Sequence, residues 1–312
     1  MIKANVQVLL STYNGEKYLN EQLESILAQD VVDLGLLIRD DGSTDHTIDS
    51  LWKYYEKHPE KIKVIEGDNL GVTSSFFELI KESSDDYDFF AFCDQDDVWE
   101  RTKLSRAISL LNDESQEIPL LYCSSTSMVD ESLKFLGSWP SSPRRPVNIY
   151  NSLVENIAVG CTIVMNRKAM QLVKSSLPPN ISNVTMHDWW SYLCVGAFGK
   201  VVFDNNSYIL YRQHKNNVLG GQTEGTFERW SERLNRFISG ENKYVISKQA
   251  YEFLQCFYHL LNPVQIQQIE RFLAGQHKNI VYRFFDVLIT PFYRQKRIDN
   301  VVLKILYVTR RI

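Results

Sequence analysis

Residues 89–97 have the sequence FFAFCDQDD, five apolar side chains followed by three acids within four residues. A short apolar run bounded by polar residues is typical of a strand buried on both faces. Similar runs occur at 6–10, at 34–38 and, in shorter form, at 63–65. Between these runs, apolar side chains recur at helical spacing, as they do from Leu19 to Leu27.

The alternation of strands and helices predicts an α/β fold. Strands joined by helices through short loops favour a doubly wound, mostly parallel sheet flanked by helices, with a ligand site at the carboxyl ends of the strands. Further short strands are expected at 120–123, 162–165 and 201–203. Beyond residue 227 the pattern predicts helices, with breaks at Asn262-Pro263 and at Pro291. We therefore expect a catalytic domain over 1–227, divided into halves at 1–119 and 120–227, and a helical C-terminal region over 228–312.

Charge is distributed unevenly along the chain. The net charge is −4, yet residues 271–312 contain nine Lys and Arg against two Asp and Glu. A basic segment rich in aromatic and aliphatic residues can lie on an anionic membrane surface. A basic pair of helices that closes the fold, or forms a dimer contact, explains the same composition.

The cysteine pattern and the apolar runs bear on location. Five scattered cysteines with no C-x-x-C spacing favour a reducing compartment over a disulfide framework or a zinc site. No signal peptide is evident, and no apolar stretch reaches the roughly 18 residues of a membrane span. The expected location is the cytoplasm, with peripheral attachment to the inner face of the membrane as an option.

The acids that follow residues 89–93 are the most informative feature. Residues i and i+2 of a strand project to the same side, so Asp94 and Asp96 can converge on one ligand. Carboxylates gathered in this way repel one another unless a cation lies among them. Oxygen ligands in an open site suit Mg²⁺ or Mn²⁺ shared with a phosphate-bearing substrate. A solvated acidic turn that caps the next helix is the alternative.

Two other polar motifs follow predicted strands. The run DDGSTD at 40–45 can supply a carboxylate to the imide N–H of a pyrimidine, or can simply form a turn and a helix cap. The run STYNG at 11–15 offers the ring of Tyr13 to a flat base and a helix N-terminus to an anion. Each motif is weak alone, but the ends of parallel strands share one crevice, so the combination predicts a nucleotide site.

With these motifs the sequence resembles glycosyltransferases of family 2 with the GT-A fold. The resemblance covers roughly residues 4–220 and is carried, in family order, by STYNG at 11–15, RDDGSTD at 39–45, DQDDVW at 94–99, HDW at 187–189 and YRQHKNN at 211–217. The run RQHKNNVLG at 212–220 is most similar to rhamnosyltransferases that build rhamnose-rich wall and capsule polysaccharides of Gram-positive bacteria.

The resemblance implies roles for particular residues. Asp41 would contact the pyrimidine, helped by the nucleotide-site residues Ser11, Thr12 and Tyr13. Asp96 would bind Mn²⁺ or Mg²⁺, with Asp94 on the ribose or the metal and His214 near the diphosphate or in the metal shell. Asp188 would be the catalytic base. Arg212 could pair with phosphate or with a core carboxylate, and both options stay open.

Two features depart from the family pattern. His187 stands where relatives often have Glu, so its role is undefined. Many relatives place an arginine after the third strand, whereas the segment 69–75 contains none, and a polar group such as Ser74 is expected to substitute. Without the family context, His187 and Asp188 would be interpreted as a packed His beside a helix-capping Asp. Trp99 and Lys103 are expected to be packing and surface residues.

These expectations define an inverting, metal-dependent glycosyltransferase. The favoured reaction moves L-rhamnose from dTDP-L-rhamnose to a hydroxyl of a polysaccharide or lipid-linked glycan acceptor. A transferase that uses UDP-glucose or UDP-galactose is the alternative within the class, and a non-catalytic sugar-nucleotide-binding module is the alternative outside it. A dinucleotide-binding G-x-G-x-x-G after the first strand and a G-x-x-x-x-G-K-[ST] loop are both absent, which argues against an oxidoreductase and a P-loop enzyme. Nucleic acid is not an expected partner.

Overall fold

The protein is described by a computed structural model that covers residues 2–214 and 244–312. The predicted boundary at 227/228 and the motif residues from Lys215 to Gly220 lie outside these described residues. Contacts divide the chain into two compact units. The described part of the first unit consists of 2–142, 157–175 and 186–214, and that of the second consists of 143–156, 176–185 and 244–312.

Among the described residues, nine strands form the sheet of the first unit: β1 (Ile2–Thr12), β2 (Val31–Asp40), β3 (Ile62–Glu66), β4 (Phe89–Cys93), β5 (Val98–Trp99), β6 (Leu120–Val129), β7 (Phe135–Trp139), β8 (Val164–Asn166) and β9 (Lys200–Arg212). Their spatial order is β3-β2-β1-β4-β8-β6-β9-β5, with β7 paired to β6. The first four strands are parallel to one another, whereas β8 runs antiparallel to β4 and β6. The parallel arrangement expected from the sequence therefore belongs to the first hundred residues, and the second half of the sheet is mixed.

The helices of the first unit are α1 (Leu19–Leu27), α2 (Thr47–Lys57), α3 (Val72–Glu82), α4 (Lys103–Asn112), α6 (Arg167–Ser175) and α7 (His187–Phe198). The short α5 (Ile149–Ser152) belongs to the second unit, as do α8 (Val245–Phe257), α9 (Pro263–Gly275), α10 (Ile280–Ile289) and α11 (Arg297–Val308). The predicted break at Asn262-Pro263 is confirmed, because Asn262 caps α9 in a capping box with Gln265 and Pro263 opens the helix. The break at Pro291 is confirmed between α10 and α11.

The core of the first unit lies between the sheet and its helices. Strand residues such as Val6, Val8 and Ala91 are fully buried and pack with helix residues such as Leu23 and Leu104. Because β1 is parallel to β2 and to β4, the carboxyl ends of these three strands lie at the same edge of the sheet. In the described part of the chain, no helix has the length and apolar character needed to cross a bilayer.

Candidate active site at the strand ends

The three motifs leave the sheet at neighbouring positions. Thr12 pairs in register with Asp40 across β1 and β2, and Leu10 pairs with Cys93 across β1 and β4. The residues that follow these pairs are therefore neighbours, as the sequence predicted for carboxyl strand ends.

Hydrogen bonds join the loops after β1 and β4. The backbone N–H of Tyr13 donates to Gln95 Oε1 at 2.8 Å, and Gln95 Nε2 donates to the Tyr13 carbonyl at 2.9 Å. Glycine at position 15 accommodates this arrangement, because a Cβ there would lie 2.2 Å from Gln95 Oε1 and would displace the glutamine amide. The Tyr13 side chain remains 46 % exposed, which leaves its ring available to a planar base.

Ser11 and Thr12 occupy different environments at the end of β1. Ser11 Oγ lies 2.7 Å from Ser75 Oγ on α3. Thr12 is buried, and its hydroxyl donates to Asp40 Oδ1 at 2.9 Å. Thr12 therefore links the ends of β1 and β2. Ser11 links the end of β1 to α3 through Ser75. The role of a polar group such as Ser74 in place of the arginine stays a prediction.

Asp41 organises the loop after β3. Its carboxylate pairs with Arg39 and accepts the backbone N–H groups of Leu70 at 2.9 Å and Gly71 at 2.8 Å. Arg39 also donates to the carbonyl of Asp68 at 2.9 Å. A buried arginine from β2 therefore reaches the loop in which the sequence contains no arginine of its own.

Asp94 and Asp96 form the acidic centre, and His214 joins them. His214 Nε2 lies 2.7 Å from Asp96 Oδ2, and its ring stacks on Tyr18 with a centroid separation of 5.3 Å. Burial, together with the negative charges of Asp96 and Asp188, raises the pKa of Asp94 to about 7. Mutual repulsion of this kind is relieved by a cation, and the carboxylate oxygens are donors that suit Mn²⁺ or Mg²⁺.

Asp188 lies near the same acids. It is buried in the first turn of α7, and its charge acts on Asp94. Gly160, in the short helical turn before β8, faces it closely, because a Cβ at Gly160 would lie 3.4 Å from the Asp188 carboxylate. The structure brings Asp94, Asp96, Asp188 and His214 into one region.

Arg212 is held by protein groups. Its guanidinium pairs with Glu21, and it donates to the backbone carbonyls of Asp96 at 2.9 Å and Glu131 at 2.6 Å. The side chain is buried and stacks over Tyr18. Of the two options left open by the sequence, this geometry favours the carboxylate partner. Arg212 positions the end of β9, and hence His214 two residues later.

A buried lysine, Lys103, lies near Asp97 and two cysteines. Lys103 is 2 % exposed, with Nζ 3.5 Å from the centroid of the Trp99 ring, so the expectation of a surface lysine is wrong. Burial lowers the Lys103 pKa to about 8, whereas the nearby thiols of Cys93 and Cys161 and the carboxylate of Asp97 act in the opposite direction. Burial likewise raises the pKa of Asp97 well above its usual range, and Asp97 Oδ1 accepts the backbone N–H of Arg212 at 3.0 Å.

A second group of ligand-type atoms lies in this buried layer. Atoms of Asp94, Asp97 and Cys161 approach within 4.8 Å of one another. Asp97 and Cys161 are fully buried and share their surroundings with the Lys103 ammonium, which already supplies positive charge there. The more accessible Asp96–His214 pair therefore provides the better match to a cation shared with a substrate.

The comparisons identify the family. A family model described as "Glycosyl transferase family 2" matches residues 7–172, just over half of the chain. The chain belongs to glycosyltransferase family 2. The matched segment includes the loops after β1, β2, β3 and β4, and so contains most of the crevice described above.

Three relatives illustrate the similarity. The transferase is 29% identical over 228 residues to "dTDP-rhamnosyl transferase RfbG" of Shigella flexneri, covering 68% of this chain and 73% of the relative. It is 24% identical over 231 residues to "UDP-Glc:alpha-D-GlcNAc-diphosphoundecaprenol beta-1,3-glucosyltransferase WfgD" of Escherichia coli, covering 72% and 83%. The mannosyltransferase PcManGT from Pyrobaculum calidifontis, solved with GDP-Man and Mn²⁺, has a TM-score of 0.51 at 14% identity, covering 100% of this chain and 86% of that one. The fold of this transferase is that of the GT-A glycosyltransferases.

His187 of the transferase should make its stability depend on pH. The ring is 2 % exposed, stacks on Phe76 with a centroid separation of 3.6 Å, and has no hydrogen-bond partner at either nitrogen among the described residues. Burial lowers its pKa to about 3, so between about pH 6.5 and pH 3 the unfolded chain binds a proton that the folded chain does not. Because of this group, the free energy of unfolding should fall by about 2 kcal/mol when the pH is lowered from 7.5 to 5.

Urea unfolding at both pH values measures this effect. The matched control is His187→Phe, which preserves an aromatic ring beside Phe76 and removes the titrating group. The difference in unfolding free energy between wild type and variant should change by about 2 kcal/mol between the two pH values. Parallel pH dependence in the two proteins would show that His187 is not a buried neutral imidazole.

Proposed function

We propose that this chain transfers L-rhamnose from dTDP-L-rhamnose to a hydroxyl of a lipid-linked polysaccharide acceptor, with inversion at the anomeric carbon. The observation that carries the proposal is the convergence of Asp94, Asp96 and His214 with a separate carboxylate, Asp188, in one electrostatic environment. Such a site provides a place for a diphosphate with its counter-cation and a base for the attacking hydroxyl.

The donor side is assigned to the loops after β1, β2 and β4. Tyr13 supplies an exposed ring for the base, and the carboxylate of Asp41 fixes the loop that borders it. Asp96 and His214, with Asp94, would hold a divalent cation. When bound, that cation supplies positive charge against the leaving diphosphate.

The acceptor side is assigned to Asp188. Asp188 is buried in the first turn of α7, and a carboxylate in this position can serve as the base for an acceptor hydroxyl. Asp188 takes the proton of the acceptor hydroxyl as oxygen bonds to the anomeric carbon and the bond to the diphosphate breaks. A single displacement inverts the centre, so a β-linked donor gives an α-L-rhamnoside.

Similarity to RfbG supports rhamnose as the sugar, and similarity to WfgD, whose name specifies UDP-Glc and a diphosphoundecaprenol-linked substrate, supports a lipid-linked acceptor. The same WfgD similarity makes a UDP-hexose the second candidate donor. The predicted extent of the catalytic domain, residues 1–227, is retained as part of this proposal.

A donor panel tests the proposal directly. Calorimetry with dTDP-L-rhamnose, UDP-glucose and UDP-galactose, each with Mn²⁺, should give a dissociation constant for dTDP-L-rhamnose at least about tenfold lower than for the others, a difference of about 1.4 kcal/mol. Chelation by EDTA should remove most of that affinity and the release of dTDP, because the diphosphate would then face uncompensated carboxylates.

The panel also separates the alternatives. Preference for a UDP-hexose would replace rhamnose and keep the class of reaction. Tight binding of a donor without release of nucleoside diphosphate, measured with a bacterial lipid extract as acceptor, would favour a non-catalytic binding module. Full turnover in EDTA would contradict the metal assignment.

A further inference from the structure

Helix α10 of the second unit has its polar and apolar faces reversed with respect to an ordinary surface helix. Its charged side chains, Arg283 and Asp286, are buried. Six apolar side chains are each 55–65 % exposed, namely Ile280, Val281, Phe284, Phe285, Leu288 and Ile289, whereas Val287 is buried with the charged side chains. Residues 281, 284, 285 and 288 follow helical spacing, so they form one continuous stripe.

Interactions inside the second unit explain why the charges are buried. The Asp286 carboxylate pairs with Arg271 on α9 and accepts the Tyr307 hydroxyl on α11. Arg283 Nε donates to the Asn279 carbonyl at 3.4 Å. The contacts of Asp286 with α9 and α11 therefore fix the inward face of α10, and a rotation that buried its apolar stripe would break them.

Helix α11 extends the exposed apolar surface. Ile298, Val301 and Ile305, at positions i, i+3 and i+7, are 48–55 % exposed. Together with the stripe on α10 they define what we call the apolar face. A soluble surface rarely exposes so many large apolar side chains on adjacent helices without a partner.

Exposed cations accompany this face. Lys278, Lys296, Arg297, Lys304 and Arg310 are exposed within residues 276–312. The two acids of the same segment are less accessible, since Asp286 is buried and Asp299 is half-buried. The exposed charge next to the apolar face is thus positive.

From these observations we infer that the apolar face of α10 and α11 binds the surface of an anionic lipid bilayer. The arrangement of apolar side chains beside Lys and Arg matches the boundary between acyl chains and negative headgroups. A second copy of the chain fits less well, because a two-fold contact would bring cations against cations. Helix α10 has 10 residues, about 15 Å, half of the roughly 30 Å hydrocarbon thickness, so it lies in the plane of the surface.

Vesicle sedimentation of the full chain tests the inference. Vesicles of phosphatidylcholine with about one third phosphatidylglycerol should bind the protein, and pure phosphatidylcholine should bind it at least about tenfold more weakly. The variant Phe284→Ser/Phe285→Ser should lose at least about tenfold in partitioning, because both rings leave the acyl boundary. The matched control is Phe135→Ser/Leu136→Ser on β7, whose side chains are 60 % and 44 % exposed in the first unit; it should bind like wild type.

Equal binding by the two double variants, or equal binding to both kinds of vesicle, would overturn the inference. Sedimentation velocity without lipid distinguishes the competing partner. A dimer that Phe284→Ser/Phe285→Ser converts to a monomer, with no binding to vesicles, would assign the face to self-association and also overturn the inference. These measurements need no substrate, so their failure is separate from failure of the proposed transferase activity.

Discussion

The variant Asp188→Asn is expected to transfer sugar about 10²–10⁴-fold more slowly than wild type, the range attributed to a positioned general base. The amide retains the size of the carboxylate but cannot accept the proton of the attacking hydroxyl. Affinity for the donor should stay within about twofold, because Asp188 is assigned to the acceptor and not to the nucleotide. Single-turnover transfer and calorimetric donor binding, both with Mn²⁺, measure the two effects.

Asp96→Ala provides the contrasting variant. It removes the partner of His214, so donor affinity with Mn²⁺ should fall toward the value that wild type shows in EDTA. A rate near wild type for Asp188→Asn would eliminate Asp188 as the base. Loss of donor affinity in Asp188→Asn equal to that in Asp96→Ala would instead place both carboxylates on the donor side.

Lys103→Met should raise the free energy of unfolding at pH 7.5 by about 1–3 kcal/mol, because burial lowers the pKa of Lys103 to about 8 and the unfolded chain binds this proton more tightly than the folded chain. Methionine fills the space of the lysine stem, so lost packing is a small part of the effect. Asp97 would not be left as an unpaired charge, because burial raises its pKa well above the usual range and favours its neutral form. Urea unfolding at pH 7.5 gives the magnitude.

The double variant Lys103→Met/Asp97→Asn tests the cause. Because burial favours the neutral form of Asp97, the double variant should match the stability of Lys103→Met within about 0.5 kcal/mol. Lys81→Met, at a lysine with a 59% exposed side chain on α3, is the surface control and should change stability by less than about 0.5 kcal/mol. A stability of Lys103→Met below that of wild type, recovered in the double variant, would show instead that the two groups form an ionic pair.

The sequence was sufficient for the parallel half of the sheet because each of its strands is a short apolar run. These strands appear as expected: β4 coincides with its apolar run, and β1, β2 and β3 extend beyond theirs at both ends. Strands β5 and β7 were not predicted. β5 has two residues, and β7 exposes Phe135 and Leu136, so neither has a hydrophobic pattern that distinguishes it from a loop.

The sequence identified the acidic residues of the candidate site but not the hydrogen bonds and buried contacts that hold them. The roles assigned to Asp41, Asp94, Asp96, Asp188 and His214 stay predictions. Gln95 was missed because a glutamine between two acids has no pattern of its own, although its contact explains Gly15. Lys103 was misplaced because helical spacing does not show tertiary packing, which places its ammonium over the Trp99 ring and near the thiols of Cys93 and Cys161.

The loops around the crevice are joined by reciprocal hydrogen bonds. Tyr13 and Gln95 exchange two, the backbone N–H of Asn14 donates to Ser43 Oγ, and Asn14 Oδ1 accepts the backbone N–H of Thr44. A site already ordered in this way avoids part of the conformational entropy that binding would otherwise cost. Attempts to retarget the enzyme to another nucleotide by exchanging a single loop should therefore fail, since the exchanged segment would lose its hydrogen-bonding partners in the loops that stayed.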